Sequence, residues 1–462
     1  MTTDKETVRA AALRAVQAIL EEGSLGHKVI ARELSLHPSW SGSERAFFTR
    51  LTEGTAERSL ELDYVIDQFS RTPVQKMKPA IRGILRTGVY QLLYMDAVPD
   101  RAACDEAVRL AKKRGLAGLS GFVNGVMRAI AAGKDGRTYP PADTPEGMSV
   151  RYSMPVWIVE KWLALYGRPV TEKMLGAMLA ERPLCVHMNQ SKAEKQEIIE
   201  SLEKQGVSAK VHPYSSQALT LEGGGRPDSL EAFRKGWIQV QDISSQLASS
   251  LAARALKEAA AMHGGELLVL DTCAAPGGKS VYLADAAALL GRPAVVVSRD
   301  LSAGKVRQIE ENRERTGLTA IVPQIWDAKE FCPDNEEKAD VVIADLPCSG
   351  LGIMGRKKDI RCHVRPEGLA ELAGLQREIL SVVHRYVRPG GFLIYSTCTI
   401  NPEENEENAR WFAENFPFRL RRAKEWLEAG APETGDYLQL LPGVHDCDGF
   451  FAAVFERTGG EG

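Results

Sequence analysis

Several signatures that define other protein classes are missing from this chain. No run of apolar residues approaches the length of about 20 residues that spans a bilayer. The first six residues also lack the basic stretch followed by an apolar one that marks a signal peptide. The eight cysteines form no C-x-x-C pair, which argues against a disulfide framework and a zinc ribbon. We therefore expect a cytoplasmic protein without a membrane partner, whose cysteine chemistry involves single thiols.

A strong excess of positive charge is absent as well. The formal net charge is -3 at pH 7, which argues against electrostatic binding of nucleic acid by the chain as a whole, although a local basic face remains open. At 462 residues and 44% hydrophobic residues, the chain is too long for one ordinary core. It should contain about three domains.

Helical periodicity dominates the first part of the chain, and mixed helix and strand patterns follow. Apolar residues at helical spacing predict a bundle, and a stretch rich in glycine, proline and charge predicts its end. From the N-terminus, the predicted segments are an all-α bundle over residues 1–133, a linker over 134–145, a helical connector with a small α+β subdomain over 146–240, and an α/β domain over 241–462.

The α/β domain is organised around one strand, turn and helix. Residues 267–271 are an apolar run that ends in an acid, which is typical of a buried parallel strand. Pro276 and the two glycines that follow turn the backbone and leave space for a ligand near the main chain. A helical segment begins at Lys279.

Strand candidates alternate with helical segments beyond this turn. They lie at 294–298, 320–325, 341–344 and 392–395. This alternation predicts a doubly wound parallel sheet. Segments 437–441 and 450–455 are expected to form a closing antiparallel hairpin, which would make the sheet mixed.

Acidic residues recur where the predicted strands end, and ligands of open α/β sheets bind at that edge. They are Asp271, Asp300, Asp327 and Asp345. The turn matches neither the dinucleotide pattern G-x-G-x-x-G nor a P-loop, in which Cys273 would have to be glycine. A ligand with a ribose but without a pyrophosphate is therefore favoured, because ribose hydroxyls donate to a carboxylate.

Two cysteines follow neighbouring strand candidates. Cys348 comes after the fourth strand and Cys398 after the fifth, so the sheet should bring them together. The sequence from Asn401 predicts a capped helix N-terminus, which would lower the pKa of a nearby thiol. Zinc is a competing use of the thiols, with Cys362 and His363 as further ligands. The spacing fits no common zinc site, and we predict no metal.

Short motifs across nearly the whole chain resemble the Sun/Fmu family of RNA cytosine-5 methyltransferases. In the α/β domain they are Cys273–Lys279, Asp345–Gly350 and Ser396–Cys398, together with Val240–Gln246 and Asp448–Phe451. Gly88–Tyr94 and Phe122–Arg128 resemble the NusB-like RNA-binding domain of that family. The chain departs from the family pattern at Ser298 and Arg299, at Leu346 and at Cys362 and His363.

The resemblance implies a cofactor, a reaction and roles for named residues. S-adenosylmethionine would be bound by Cys273, Ala274, Ala275, Pro276, Gly277, Gly278, Lys279, Asp300, Asp327 and Asp345. Cys398 matches the nucleophile that adds to C6 of cytosine, and Asp345 the residue that contacts the base near N3. Cys348 matches the residue that releases the product after methyl transfer.

The resemblance also implies RNA as the partner, most directly small-subunit ribosomal RNA, with neither DNA nor a membrane involved. The target base should lie in a loop or be flipped out of its helix. We expect a monomer, with phosphates contacted by Arg356, Lys357, Lys358, Arg361 and Arg365. Three alternatives stay open: the same chemistry on transfer RNA, a non-catalytic RNA-binding or ribosome assembly factor, and a nicotinamide-dependent oxidoreductase, which the missing glycine pattern disfavours.

Overall fold

The computed structural model describes residues 7–223 and 225–459, which divide into two compact units. The first unit runs up to Leu179 and also includes Met354–Val364, and the second contains Ala180–Ile353 and the residues from Arg365 onward. This division differs from the predicted domains, because the first part of the predicted connector belongs to the helical unit. In the described ranges no helix is long and apolar enough to cross a membrane.

The first unit is a bundle of helices, as predicted. They are α1 (Val8–Leu20), α2 (Gly26–Leu36), α3 (Gly42–Glu57), α4 (Ser59–Phe69), α5 (Pro79–Tyr94), α6 (Asp100–Lys113), α7 (Ser120–Gly133), α8 (Pro145–Tyr152) and α9 (Val156–Ala177), which is kinked at Gly167. Leu13, Phe48, Leu85 and Met127 are fully buried in its core. α2 was not predicted; most of its residues are exposed, and the two that are buried are Gly26 and Glu33.

The second unit begins with a four-stranded antiparallel sheet. Its elements are β1 (Leu184–Met188), α10 (Lys195–Glu203), β2 (Ser208–Val211), β3 (Ala218–Glu222), α11 (Glu231–Arg234) and β4 (Ile238–Val240), and the strand order is β2-β3-β1-β4. β2 was not predicted. It is a largely exposed edge strand of only four residues, so its short alternation of polar and apolar residues gives a weak signal.

The remaining elements form a second layered structure around one large sheet. In chain order they are α12 (Ile243–Met262), β5 (Leu267–Asp271), α13 (Gly278–Leu289), β6 (Ala294–Asp300), α14 (Ala303–Thr316), β7 (Ile321–Ile325), β8 (Ala339–Asp345), α15 (Ile360–His363), α16 (Pro366–Val383), β9 (Val387–Thr397), α17 (Glu406–Asn415), β10 (Phe418–Arg421), β11 (Leu438–Leu440) and β12 (Phe450–Arg457). Of these, α15 belongs to the segment that joins the first unit.

The large sheet is mixed and doubly wound, which confirms the predicted fold class. Its order is β10-β12-β9-β8-β5-β6-β7, with β11 beside β12. Strands β5 to β9 are parallel, and β12 is antiparallel to each of its neighbours. Val341 and Ile343 face one core with α12 and α13, whereas Val342 and Ala344 face the other with α16 and α17. Both faces are therefore covered, and the carboxyl edge of the parallel strands carries the polar residues.

Candidate active site

The carboxyl edge of the large sheet collects the residues predicted from the sequence. Asp271, Asp300 and Asp345 are the last residues of β5, β6 and β8, and Cys398 directly follows β9. Asp327 lies just beyond β7. Because these strands are parallel neighbours, one edge presents acidic groups and thiols side by side.

The turn Cys273–Gly278 joins β5 to α13 at this edge. Gly277 has a φ of 102°, a left-handed conformation that residues with a Cβ rarely adopt. The Ala275–Pro276 peptide bond is cis. The Ala275 amide donates to Oδ2 of Asp300 at 3.0 Å, so the end of β6 holds the turn in place.

Asp300 is a buried carboxylate that can accept a further hydrogen bond. It is 4% exposed, and its Oδ1 accepts from the Leu301 amide at 2.8 Å and pairs with Lys305 Nζ at 2.9 Å. Its Oδ2 has only the Ala275 amide as a described donor and retains a lone pair. A buried acceptor at this position fits a ribose hydroxyl. Asp327, by contrast, closes its own turn by accepting from the Lys329 amide at 2.9 Å.

Asp345 and Lys279 form an ion pair across the site. Lys279 Nζ lies 2.6 Å from Oδ2 of Asp345, and Ser396 Oγ donates to Oδ1 at 2.7 Å. Lys279 also donates to Ser245 Oγ at 3.1 Å and lies 5.1 Å from the centroid of the Phe450 ring. The last residue of the predicted cofactor turn therefore fixes the aspartate that was predicted to contact the base.

Asp271 lies beneath the turn and is 1% exposed. Ser280 Oγ donates to its Oδ2 at 2.7 Å. The pKa of Asp271 is raised to about 7, chiefly by burial and also by the nearby Asp345 and Asp300 charges, against the opposing effects of the Ser280 hydrogen bond and the Lys279 charge. Asp271 is thus a structural acid whose ionisation is costly near neutral pH.

The two departures from the family pattern on β6 have local partners. Ser298 Oγ donates to Ser280 Oγ at 2.8 Å and extends the hydrogen bonds under the turn. Arg299 donates to Asn335 Oδ1 at 2.5 Å, and its guanidinium lies 5.0 Å from the centroid of the Trp326 ring. Both polar side chains are accommodated in the buried strand because they are hydrogen-bonded.

Cys348 and Cys398 are brought together, as the strand order predicted. Their Sγ atoms lie 3.3 Å apart. The pKa of Cys348 is well above its ordinary value, chiefly because its thiol is hydrogen-bonded to Cys398, and then because of burial and the charges of Cys398 and Glu404. The pair therefore favours a protonated Cys348 that donates to the sulfur of Cys398.

The helix start predicted at Asn401 is present only as a short 3-10 helix without the predicted side-chain cap. Pro402–Glu404 forms a 3-10 helix of three residues, and α17 begins only at Glu406. The Asn401 side chain donates to Oε1 of Glu404 at 3.1 Å instead of capping a helix. An α-helix dipole at Asn401 is consequently not available to the neighbouring thiol.

Glu404 is the residue of the site that sequence reasoning missed. It is completely buried, and its Oε2 accepts from the amide of Ser349, the residue next to Cys348, at 2.8 Å. The Asn-Pro-Glu-Glu sequence was noticed, but helix capping explained it equally well. Only the fold shows that this carboxylate faces inward.

Four of the predicted phosphate contacts differ in accessibility. Arg356, Lys357 and Arg365 are exposed. Lys358 is half-buried and pairs with Glu57 of the same unit at 3.3 Å. The exposed Arg356, Lys357 and Arg365 and the half-buried Lys358 stay predicted phosphate contacts.

The expectation for Arg361 has to be corrected. Arg361 is 3% exposed, and its guanidinium donates to the Met354 carbonyl at 3.2 Å and lies 3.9 Å from Glu57. A guanidinium enclosed in this way cannot reach a phosphate, so Arg361 stabilises the segment instead. Next to it, Cys362 Sγ lies 3.6 Å from the Ala56 carbonyl oxygen. In the part of the chain that the structure describes, no group of three or more His, Cys, Asp or Glu residues could hold a metal ion.

Comparisons with protein families cover most of the chain. The family model described as 16S rRNA methyltransferase RsmB/F matches residues 259–456. The NusB family model matches residues 6–132, and a model of the RsmF/B-like ferredoxin-like domain matches residues 154–226. The matched regions correspond to the large sheet, the helical bundle and most of the small antiparallel sheet.

Individual relatives extend over the full length. A probable ribosomal RNA small subunit methyltransferase B from Bacillus subtilis is 34% identical and covers 98% of this chain and 100% of its own. A protein of the same description from Synechocystis is 32% identical, over 93% of this chain and 94% of its own. The crystal structure of PH0851 superimposes with a TM-score of 0.77 at 24% identity, over 97% of this chain and 99% of that one, which shows a common fold.

These matches confirm the predicted family, the N-terminal NusB-like domain and S-adenosylmethionine as the methyl donor. They also confirm the coarser part of the predicted activity, which is methylation of RNA. The chain belongs to the RsmB/F family of 16S rRNA methyltransferases.

Proposed function

We propose that this protein methylates C5 of a cytosine in small-subunit ribosomal RNA, with Cys398 as the nucleophile. The observation that supports this most directly is the pair of thiols, with their Sγ atoms 3.3 Å apart at the strand edge that carries the cofactor turn. Two thiols suit a reaction in which one sulfur adds to the base and the other handles a proton. The names of the relatives from Bacillus subtilis and Synechocystis support ribosomal RNA of the small subunit as the substrate.

The cofactor is assigned to the turn Cys273–Lys279 together with Asp300, Asp327 and Asp345. Asp300 offers an acceptor to a ribose, and the turn lacks the glycine pattern that a pyrophosphate requires. When bound, S-adenosylmethionine supplies an electrophilic methyl group. Because Lys279 already pairs with Asp345, its role in this set is to hold Asp345 at the border between cofactor and base.

The acceptor carbon is a weak nucleophile and has to be activated by the protein. The Cys398 thiolate forms a bond to C6, which moves electron density towards C5 and produces an enamine-like ring. Asp345 contacts the base near N3, held by Lys279 and Ser396. The hydrogen bond from Cys348 stabilises the Cys398 thiolate before it attacks.

Product release follows from the coupling of the two thiols. The largest cause of the raised pKa of Cys348 is its hydrogen bond to Cys398, and this cause disappears once the Cys398 sulfur is bonded to C6. Cys348 can then lose its proton to solvent water, and the resulting thiolate accepts the proton on C5. As that proton leaves, its electron pair restores the C5–C6 double bond, the C6–S bond breaks, and Cys398 departs as a thiolate.

Bisulfite sequencing tests the proposal directly. The protein would be incubated with S-adenosylmethionine and either small-subunit ribosomal RNA or transfer RNA, both prepared from a strain in which the gene is deleted. We expect one new bisulfite-resistant cytosine in the ribosomal RNA. Methylation of transfer RNA alone would replace the proposed substrate, and methyl incorporation without a resistant cytosine would refute the C5 chemistry.

A further inference from the structure

The loops that carry the two thiols share one buried acidic residue. Glu404 is 0% exposed, and each of its carboxylate oxygens accepts two hydrogen bonds. Oε2 accepts from the Ser349 amide at 2.8 Å and from Gln376 Nε2 at 3.1 Å. Oε1 accepts from Ser349 Oγ at 2.5 Å and from Asn401 Nδ2 at 3.1 Å. These four donors are neutral groups. The buried carboxylate of Glu404 is therefore stabilised by oriented hydrogen-bond donors rather than by a cation.

The donors belong to both thiol loops. Ser349 directly follows Cys348, and its Oγ also lies 2.7 Å from Oγ1 of Thr399, the residue that directly follows Cys398. Asn401 lies three positions beyond Cys398, and its amide donates to Thr399 Oγ1 at 3.3 Å. The Glu404 carboxylate therefore connects the neighbours of one thiol to the neighbours of the other.

Side chains outside the two thiol loops also hold Glu404 in place. Gln376 of α16 donates to the carbonyl of Pro347 at 2.9 Å as well as to Glu404, and its Oε1 accepts from Asn408 Nδ2 at 2.9 Å. The Tyr395 hydroxyl contacts both Gln376 Oε1 and the Glu404 carbonyl oxygen. Both ends of the Gln376 side-chain amide are hydrogen-bonded, so this amide is held in one orientation and holds the Glu404 carboxylate in one orientation as well.

We propose that Glu404 is the positioning residue of the thiol pair: its buried carboxylate sets the separation of the Cys348 and Cys398 sulfur atoms. The inference rests on the proposed function for its consequence in catalysis, whereas the separation itself is a property of the protein alone. Glu404 touches neither sulfur and acts through Ser349 and Asn401. A fixed negative charge near Cys348 also favours the protonated thiol there.

Binding of a trivalent arsenical reports whether the Cys348 and Cys398 sulfur atoms are close enough to be bridged, and it requires neither RNA nor cofactor. Phenylarsine oxide forms two As–S bonds with two adjacent thiols and releases water, and Cys348→Ala gives the background for a single thiol. We expect Glu404→Gln to weaken its binding at least about tenfold, because the amide turns a donor towards the donors of Ser349 and Asn401. The matched control is Glu407→Gln, the same change at an exposed residue of α17, which should bind like wild type.

Kinetics separate positioning from a general loss of structure. For Glu404→Gln we expect the single-turnover rate of RNA methylation to fall about 100-fold, the cost of a misplacement of about 1 Å, with S-adenosylmethionine affinity within about twofold of wild type. If this variant does not fold, Ser349→Ala removes only the hydroxyl that links Glu404 to Thr399 and should show smaller losses in the same direction. Wild-type arsenical binding and turnover in the folded variant overturns the inference. Normal arsenical binding by a wild-type protein that does not methylate RNA would instead count against the proposed function.

Discussion

Two cysteines of identical chemistry receive different surroundings at the end of neighbouring strands. Cys348 is hydrogen-bonded to Cys398 and lies near the Glu404 charge, both of which favour its protonated form. The helix that follows Cys398 is a 3-10 helix of three residues, so the contact with Cys348 is the feature that we propose activates Cys398. The proposed distinction between nucleophile and proton carrier therefore rests on hydrogen bonding around the sulfur atoms.

Removing each of the two thiols should block the reaction at a different step. Cys398→Ala is expected to abolish methylation and to form no covalent product, because no sulfur adds to C6. Cys348→Ala should accumulate the RNA adduct, because the C5 proton is no longer removed. A denaturing gel with labelled RNA shows the adduct as a slowly migrating band. Normal turnover of Cys348→Ala would contradict its role in release.

Asp271 should make folding stability depend on pH. Its folded pKa of about 7 lies above the ordinary value of 3.8, so the folded state holds a proton that the unfolded state has lost. Stability from this group is therefore present at low pH, falls as pH rises from about 4 to about 7, and levels off above that. We expect Asp271→Asn to lose this decline in urea unfolding measured from about pH 5 to about pH 8. Asp334→Asn, at an exposed position, serves as the control and should leave the decline unchanged.

At the scale of elements, the β5–α13 connection adopts a conformation that its local sequence favours. Gly277 adopts a positive φ, the Ala275 amide is held by β6, and α13 starts at the next glycine. Residues with a Cβ adopt this conformation at a cost of about 1–3 kcal/mol. A small backbone change here should therefore be felt in cofactor binding.

Gly277→Ala should weaken S-adenosylmethionine binding. An added Cβ would meet Ile309 at 3.4 Å, and the left-handed φ would be strained. We expect the dissociation constant measured by calorimetry to rise about tenfold, equivalent to about 1.4 kcal/mol. Gly304→Ala in α14 is the matched control, since a Cβ there meets nothing within 4 Å and helical alanine is favourable. Equal losses in both variants would argue against a specific role of the turn.

On the scale of the whole molecule, the chain does not keep its two units separate in sequence. After β8 it leaves the second unit at Ile353, contributes Met354–Val364 to the helical unit, and returns at Arg365. Within the helical unit, Asp359 accepts from the Gly26 amide at 2.9 Å, and Arg361 is enclosed. The segment is therefore part of the bundle rather than a free basic loop.

Asp359→Ala should destabilise the helical unit. The change removes the acceptor for a buried amide at the start of α2, a loss of about 1 kcal/mol in comparable helix caps. We expect faster limited proteolysis between α1 and α3 and a lower unfolding midpoint. Lys357→Ala, in the same segment but exposed, should behave like wild type in both assays. Unchanged proteolysis of Asp359→Ala would refute this anchoring.

The sequence by itself determined the fold class and the meeting of the two thiols, and it located the turn after β5 that we propose holds the cofactor. These follow from local patterns: periodicity identifies helices and strands, and parallel strands necessarily place their carboxyl ends on one edge. Asp300 and Cys398 could be singled out as candidates because each stands at the end of a strand. The chain also carries family motifs at those positions, which named the cofactor.

Only the tertiary structure decided which charged residues face inward and what they hold. The Lys279–Asp345 pair, the Glu404 network and the enclosure of Arg361 join residues that are distant in sequence. A glutamate in a helix cap and a glutamate in a buried network have the same local sequence. What distinguishes them is desolvation and the supply of donors from other strands and helices, which arise only when the chain is packed.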